Sequence, residues 1–432
     1  MVIEAGNELK VIMVAPREIG KTSLLAAMHE EFAKTFERAN LQTWTTDTNT
    51  MRAIEECKKV LRNVDCRLKK QVVRTQPQDN PHVVKGFIFE IGSAGKKFMK
   101  LDFTDPSGEY FIPENYYLTE IQKSYVAKKL NECDAIVIPI DATALMETKR
   151  GRVKDQEVGA WHEDKNAPSH ITQLLKDAFS GGSITSPRLI ILAPVKSESY
   201  VRNGQEAEKL LEHVKLGYSN LLDFLKSDEL IDKVSVVVTP VQTIGNIAFA
   251  YHKENQDTGI VQFFYHKTPI NAPYAPKDGD QPLRYILLFL INIYLAEKRK
   301  ILDEEREKFE VLNKDLDVKS KQYEQAKFEY EERKRRLEKR NRVWWGFRHV
   351  ANLFDDRKTD FEIAQSQVNR STEQKAQVEE EVIKVQIAIG ATEEQINTFS
   401  NALFKFAIGC KNTDGFAILQ GHKYLDIPQS LF

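Results

Sequence analysis

Cysteine is scarce in this 432-residue chain, and Cys57, Cys66, Cys133 and Cys410 form no CxxC and have no histidine at ligand spacing. That argues against a disulfide framework or a structural zinc site and fits a reducing compartment. An excess of one charge is missing too: 62 Lys and Arg stand against 63 Asp and Glu, a formal net charge of −1. Coating nucleic acid needs a large positive excess, so that class is disfavoured and only local basic patches stay open. The longest apolar run, Tyr285 to Ala296, is broken by Asn292 and falls short of the roughly 20 residues a bilayer span needs. The opening MVIEAGNELK is charged where a signal peptide needs an apolar core. The 9 histidines show no HExxH or similar spacing, and no catalytic triad presents itself. A soluble cytoplasmic protein is expected, with two or three folding units at roughly 100–200 residues each.

Two compositional regimes meet near residue 297. Before it, short β-like runs alternate with helical stretches, the pattern of an α/β domain with a mainly parallel sheet and helices on both faces. The runs are LKVIMVA (9–15), GFIFEI (86–91), FMKLDFT (98–104), AIVIPID (135–141), RLIILAP (188–194) and VSVVVTP (234–240). Most are continuously apolar, as strands buried on both faces should be. GFIFEI and FMKLDFT, joined by GSAGKK, read as a hairpin that puts one antiparallel strand at the sheet edge.

Beyond 297 the period changes. Leu302, Phe309, Leu316, Tyr323, Tyr330 and Leu337 recur every seven residues, and after a break Phe361, Val368, Lys375, Val382, Ile389, Ile396 and Leu403 resume the register. A companion stripe (Ala364, Ser371, Val378, Val385, Thr392, Phe399, Phe406) completes a coiled-coil signal. In the first arm the companion stripe is poor (Glu305, Leu312, Lys319, Ala326, Arg333), which favours an antiparallel hairpin over a long parallel dimer. Each arm would be about 50 Å long. The domain boundaries expected are 1–296, 297–406 with a tip near 338–360, and a C-terminal segment, 407–432, that folds back.

The first run leads directly into Ala15-Pro16-Arg17-Glu18-Ile19-Gly20-Lys21-Thr22-Ser23 and then a helical stretch. Strand, glycine-containing loop and helix are the context of a phosphate loop. Main-chain N–H groups at the helix N-terminus, around Ile19–Thr22, would cradle phosphate oxygens, with Ala15, Glu18, Gly20 and Ser23 also counted in the binding loop. Lys21 would reach the β- and γ-phosphates, and Thr22 would give a hydroxyl to Mg²⁺. Ala15 stands where such loops usually have glycine, which is tolerable if its φ is negative. Downstream, Leu101-Asp102-Phe103-Thr104-Asp105-Pro106-Ser107-Gly108 is a strand followed by DxxG. Asp105 would hold Mg²⁺ through water, and the Gly108 N–H would contact a γ-phosphate.

These elements together resemble the Ras-like, TRAFAC-class P-loop GTPases over roughly residues 9–296, with insertions near 40–75, 147–180 and 246–282. The stretch from Tyr274 to Leu295 further resembles the double-GTPase group found in bacterial conflict and defence gene clusters. The resemblance implies GTP and GDP as ligands, Mg²⁺ as cofactor and in-line attack of water on the γ-phosphate. It puts Glu109 where the family carries the water-orienting glutamine; a carboxylate there would also repel the γ-phosphate, so hydrolysis should be slow. It puts Lys196 along the base and Glu198 on the guanine N1 and N2 groups, with Val195 in place of the usual asparagine. Thr239 or Gln242 would lie nearest the base, and Thr75 would be the switch threonine that completes the metal shell. Arg17 matches an arginine that in some self-activating relatives neutralises transition-state charge; a solvated side chain or a salt bridge to Glu18 or Glu109 is the alternative.

Between the helical arms, a basic run from Arg333 to Arg342 leads into Trp344, Trp345 and Phe347. Such a tip suits an anionic membrane, a protein partner, or a cap on the hairpin's own core with Val350, Leu353 and Phe354. The leading expectation is a slow guanine-nucleotide switch coupled to the hairpin. The alternatives are a nucleotide-independent pseudo-GTPase scaffold, an ATPase or kinase, and a dynamin-like membrane-associated GTPase.

Overall fold

A computed structural model describes residues 8–39, 41–45, parts of 52–62, 85–93, 96–112, 120–179, 184, 186–255, 259–269, 271–343 and 355–425. The chain divides into two compact units, Met1–Ile293 together with Ser400–Phe432, and Tyr294–Phe399.

The first unit is built on an eight-stranded sheet. Its strands are β1 (Glu8–Met13), β2 (Gln42–Thr45), β3 (Lys85–Ser93), β4 (Lys96–Asp105), β5 (Ala135–Asp141), β8 (Arg188–Val195), β9 (Val234–Val238) and β12 (Ala417–Gln420). The order across the sheet is β12-β9-β8-β5-β1-β4-β3-β2. From β4 through β1, β5 and β8 to β9 the pairing is parallel. The remaining pairs, β4 with β3, β3 with β2 and β9 with β12, are antiparallel. Every residue of β5, β8 and β9 is buried, which accounts for their uninterrupted apolar runs.

One face of the sheet, with Ile12, Ile136, Ile138, Ile190 and Leu192, forms a core with helical residues. These come from α2 (Glu120–Glu132), α5 (Pro168–Phe179), α6 (Gly204–Gly217) and α7 (Ser219–Leu225), among them Leu130, Leu175, Val214 and Leu221. The alternate residues Val11, Met13, Val137 and Ile191 are buried as well, so the opposite face is also covered. Two short helices, α3 (Ala142–Met146) and α4 (His162–Asn166), flank the two-residue strands β6 (Glu147–Thr148) and β7 (Gly151–Arg152). A separate antiparallel ribbon pairs β10 (Ile247–Glu254) with β11 (Val261–Lys267).

The hairpin of β3 and β4 forms as the sequence indicates, but β3 is not the edge strand: β2 pairs on its outer side. QTWT is too short to signal a strand by alternation, and tertiary pairing supplies what propensity does not. The other edge is β12, where the Gln420 side-chain amide donates to the carbonyls of Leu225 (2.8 Å) and Val234 (3.0 Å).

Two long helices, α8 (Asp280–Val343) and α9 (Asp355–Ile408), supply the second unit. Arg306 pairs with Glu393 at 2.7 Å, Lys375 lies over the Tyr323 ring, and the rings of Tyr330 and Phe361 are 5.2 Å apart. Partners fall in number along α9 as they rise along α8, so the helices are antiparallel. Leu302, Ala364, Val382, Val385, Thr392 and Phe399 are buried, and all lie on the seven-residue stripes. Glu305, one of the polar members of the weak stripe, accepts from the Thr392 hydroxyl at 3.3 Å.

Candidate nucleotide site

The carboxyl ends of the parallel strands gather the motifs along one edge of the sheet. The phosphate-loop sequence follows β1, Asp105 ends β4, Asp141 ends β5, Lys196 follows β8 and Thr239 follows β9. Ligand crevices of open α/β sheets lie outside such ends.

Helix α1 (Lys21–Arg38) starts after Gly20, whose φ of 118° is a left-handed value that glycine adopts without penalty. It has no side-chain cap and no acidic residue in its first turn, so its N-terminal dipole faces the loop uncompensated. The Lys21 ammonium donates to the Ala15 carbonyl at 2.9 Å, stands 4.0 Å from Asp105 Oδ1 and lies over the Phe111 ring. Burial pushes the Lys21 pKa down, and the Asp105 and Glu109 carboxylates offset part of that shift. A buried, under-compensated cation beside an uncapped helix start fits a polyanion.

Ala15 is not among the residues with positive φ; the loop's left-handed non-glycine residue is Glu18, at 68°. The feared penalty at Ala15 therefore falls on Glu18, at about 1 kcal/mol or more. The Gly108 backbone lies directly against the loop, and a Cβ there would come within 2.3 Å of the Arg17 nitrogen. The turn Gly108–Phe111 is helical, with the Ser107 hydroxyl accepting from the Glu109 N–H. Arg17 Nη1 meets Glu109 Oε1 at 3.0 Å, so the arginine is salt-bridged to the carboxylate that follows DxxG.

After β8, Lys196 donates to the Glu18 carbonyl at 3.1 Å and to Asp141 Oδ2 at 2.5 Å. Glu198 is buried, and its Oε1 accepts from the N–H groups of Ile244 (2.9 Å) and Gly245 (3.2 Å). Desolvation raises its pKa to about 7, against the pull of those hydrogen bonds and of Lys196. Glu198 Oε2, Ser197 Oγ and Thr239 Oγ1 are buried without hydrogen-bond partners. Orphans of this kind cost about 1–3 kcal/mol each, and a purine edge with donors and acceptors would satisfy them. Gln242 is tied to Lys277 through both main-chain groups.

Thus Ala15, Glu18, Gly20, Lys21 and Asp105 assemble around the loop after β1 with Arg17, Gly108 and Glu109, and Lys196, Glu198 and Thr239 follow β8 and β9 at the same edge of the sheet. Ile19 is buried in the loop, and Thr22 and Ser23 occupy the first turn of α1. Thr75 lies outside the described residues, as do Trp344, Trp345 and Phe347. Among the described residues no three His, Cys, Asp or Glu side chains cluster as metal ligands. Mg²⁺ bound through phosphate oxygens, one hydroxyl and water needs no such cluster, and Thr22 with Asp105 fits that role. Sequence reasoning missed Asp141; its signal is an acidic residue ending the otherwise apolar AIVIPID.

The double-GTPase 2 family model matches residues 11–233, more than half of the chain. This chain belongs to that family. The matched double-GTPase region contains the phosphate loop, the DxxG segment and Lys196 through Glu198. No curated protein matches the chain. Among solved structures, the GTP-bound GTPase-like domain of Saccharomyces cerevisiae Ski7 aligns at 14% identity with a TM-score of 0.31. That alignment covers 58% of this chain and 45% of the other, so this chain spans under half the Ski7 chain's length.

Proposed function

We propose that this double-GTPase protein is a guanine-nucleotide switch that binds GTP with Mg²⁺ and hydrolyses it slowly. The observation that carries the reading is Lys21, buried between the Ala15 carbonyl and Asp105 at the uncapped start of α1. Bound Mg²⁺ would neutralise phosphate charge. Lys21 holds the β- and γ-phosphates, the Gly108 N–H points a donor at the γ-phosphate, and Glu109 orients the attacking water. The Glu109 carboxylate also repels that phosphate and holds Arg17, which makes turnover slow. Glu198 Oε2 accepts from the guanine N1–H and N2–H, while Lys196 lies along the base. Thr75, if it completes the magnesium shell, does so from outside the described residues.

Coupling to the hairpin would start from the segment after Gly108, which nucleotide state would reposition; within the first unit, Phe36 of α1 packs edge-on against Phe406, with centroids 6.0 Å apart. We place the hairpin at 297–406 and the returning segment at 407–432; for Trp344, Trp345 and Phe347 at the tip, which lie outside the described residues, a cap on the hairpin's own core and a protein partner are the two leading roles. An anionic membrane is the competing occupant of that tip. No helix among the described residues is long and apolar enough to cross a membrane. The setting we propose is cytoplasmic, in bacterial antiviral defence, on the strength of the resemblance at residues 274–295.

Titration with fluorescent GTP, GDP and ATP, on the wild type and Lys21→Ala, tests the reading. Guanine binding lost in the variant is expected, and tight binding of no nucleotide overturns it. A nucleotide-independent scaffold is the second reading, favoured by the Arg17–Glu109 salt bridge across the phosphate loop. It predicts a melting temperature unmoved by GTP·Mg²⁺, whereas ligand at a hundred times Kd adds about 2.7 kcal/mol.

A further inference from the structure

Asp141 belongs to none of the nucleotide motifs, yet it is only 2% exposed at the sheet edge where they converge. Its Oδ1 caps α3, accepting from the N–H groups of Thr143 (2.9 Å) and Ala144 (3.2 Å). Its Oδ2 meets the Lys196 ammonium. The main chain of Asp141 is held on both sides by Asn166: Oδ1 accepts the Asp141 N–H at 2.7 Å, and Nδ2 donates to the Asp141 carbonyl at 3.2 Å. Asn166 is fully buried and is itself braced by His162 Nδ1 at 2.9 Å. The carboxylate therefore has a fixed origin and one oxygen to spare.

That spare oxygen points to a role beyond the cap. The same ammonium it receives also reaches the Glu18 carbonyl in the phosphate loop. Glu18 and Lys196 both hold positive φ, 68° and 56°, in residues that are not glycine. Such conformations persist only where their surroundings enforce them. The ammonium bridging Glu18 to Asp141 supplies that enforcement at both.

We infer that Asp141 is a positioning residue for nucleotide binding, which aims Lys196 at the phosphate loop and so fixes the loop and the lysine stem beneath the base together. The inference rests on the nucleotide-site reading above. A cap alone would leave the Lys196 contact without consequence for ligands. Asparagine and serine cap helices about as well as aspartate but carry no charge. Asp141→Asn and Asp141→Ser therefore separate the two roles.

The experiment measures Kd and dissociation rate for fluorescent GDP and a non-hydrolysable GTP analogue. It uses full-length wild type, Asp141→Asn, Asp141→Ser, Lys196→Ala and the Asp141→Asn/Lys196→Ala double variant. Either Asp141 variant that folds decides the matter. Affinity for both nucleotides is expected to fall roughly tenfold, chiefly through faster dissociation, as for loss of one charged hydrogen bond. In the Lys196→Ala background the same change at Asp141 is expected to cost nothing further. Wild-type affinity in Asp141→Asn or Asp141→Ser overturns the inference, as does an undiminished loss in the Lys196→Ala background. A wild type that binds no guanine nucleotide sinks the site reading instead, which keeps the two failures apart.

Discussion

Arg17, from the phosphate loop, and Glu109, just past DxxG, face each other as a salt bridge of 3.0 Å. With the Arg17 side chain 56% exposed, the bridge contributes little to stability. Its consequence is electrostatic, because a carboxylate lies beside the place a γ-phosphate would take. Glu109→Gln removes that charge and releases Arg17. Affinity for the non-hydrolysable GTP analogue is expected to rise roughly fivefold with GDP affinity nearly unchanged, about 1 kcal/mol from one partly buried charge. Equal effects on both nucleotides would contradict this.

Burial disfavours the charged form of Lys21, and the Asp105 and Glu109 carboxylates offset part of that effect. The depressed pKa of Lys21 means that ionisation works against folding in the absence of a ligand. Lys21→Met should abolish nucleotide binding while leaving the ligand-free melting temperature equal to or above that of the wild type. A large drop in melting temperature would mark Lys21 as a structural residue.

Glu198 gives a pH signature. Its folded pKa, about 7, lies above the usual 4.5. Stability from this group is thus fully present below about pH 4.5 and is lost as pH rises through 7, a span of about 3 kcal/mol at most. On the proposed reading, in which Glu198 accepts from the guanine N–H donors, ligand binding has the opposite sign, because those donors need the ionised carboxylate. GDP affinity should therefore weaken as pH falls below 7, by up to about tenfold per unit. In Glu198→Gln both dependences should flatten, as read by urea unfolding and GDP titration from pH 5 to 9.

Gly108→Ala places a methyl group where the Arg17 nitrogen already sits. The backbone must separate there, so protection of the amides at 109–112 from hydrogen exchange should fall sharply. Loss of guanine-nucleotide affinity should accompany it, and an unchanged exchange profile would show that the close approach is dispensable.

In the helical pair, Phe399 is fully buried with its ring 4.8 Å from that of Tyr294. Phe399→Ala should destabilise by about 3–5 kcal/mol in thermal or urea unfolding, the usual cost of deleting a buried phenylalanine.

Legibility followed burial and period. AIVIPID, RLIILAP and VSVVV are buried on both faces, so their composition alone gave them away as central strands. Two stripes of seven marked the helices because only inward positions must be apolar, and Leu302 and Phe399 are indeed inside. Edge strands carry no such demand. Gln42–Thr45 and Ala417–Gln420 are held by partners distant in sequence, so local pattern was silent about them. In the site, Lys21 and Asp105 stand out as a strand–loop–helix motif and a strand followed by DxxG, whereas Lys196 and Glu198 are singled out only by the family resemblance; the fold puts all four at the carboxyl ends of the parallel strands. Asp141 is legible from neither, because its role depends on Lys196 and Asn166, contacts that only folding creates.

The last sheet strand, Ala417–Gln420, pairs with Val234–Val238 although both long helices lie between them in the chain. During synthesis, β9 must therefore wait with an unpaired edge until the ribosome has delivered the whole intervening stretch. Truncated preparations that stop at Ile293 would keep that edge bare, a template for intermolecular strand pairing and precipitation. A shortened protein that aggregates would then report a missing strand, with no bearing on how well the phosphate loop itself is made.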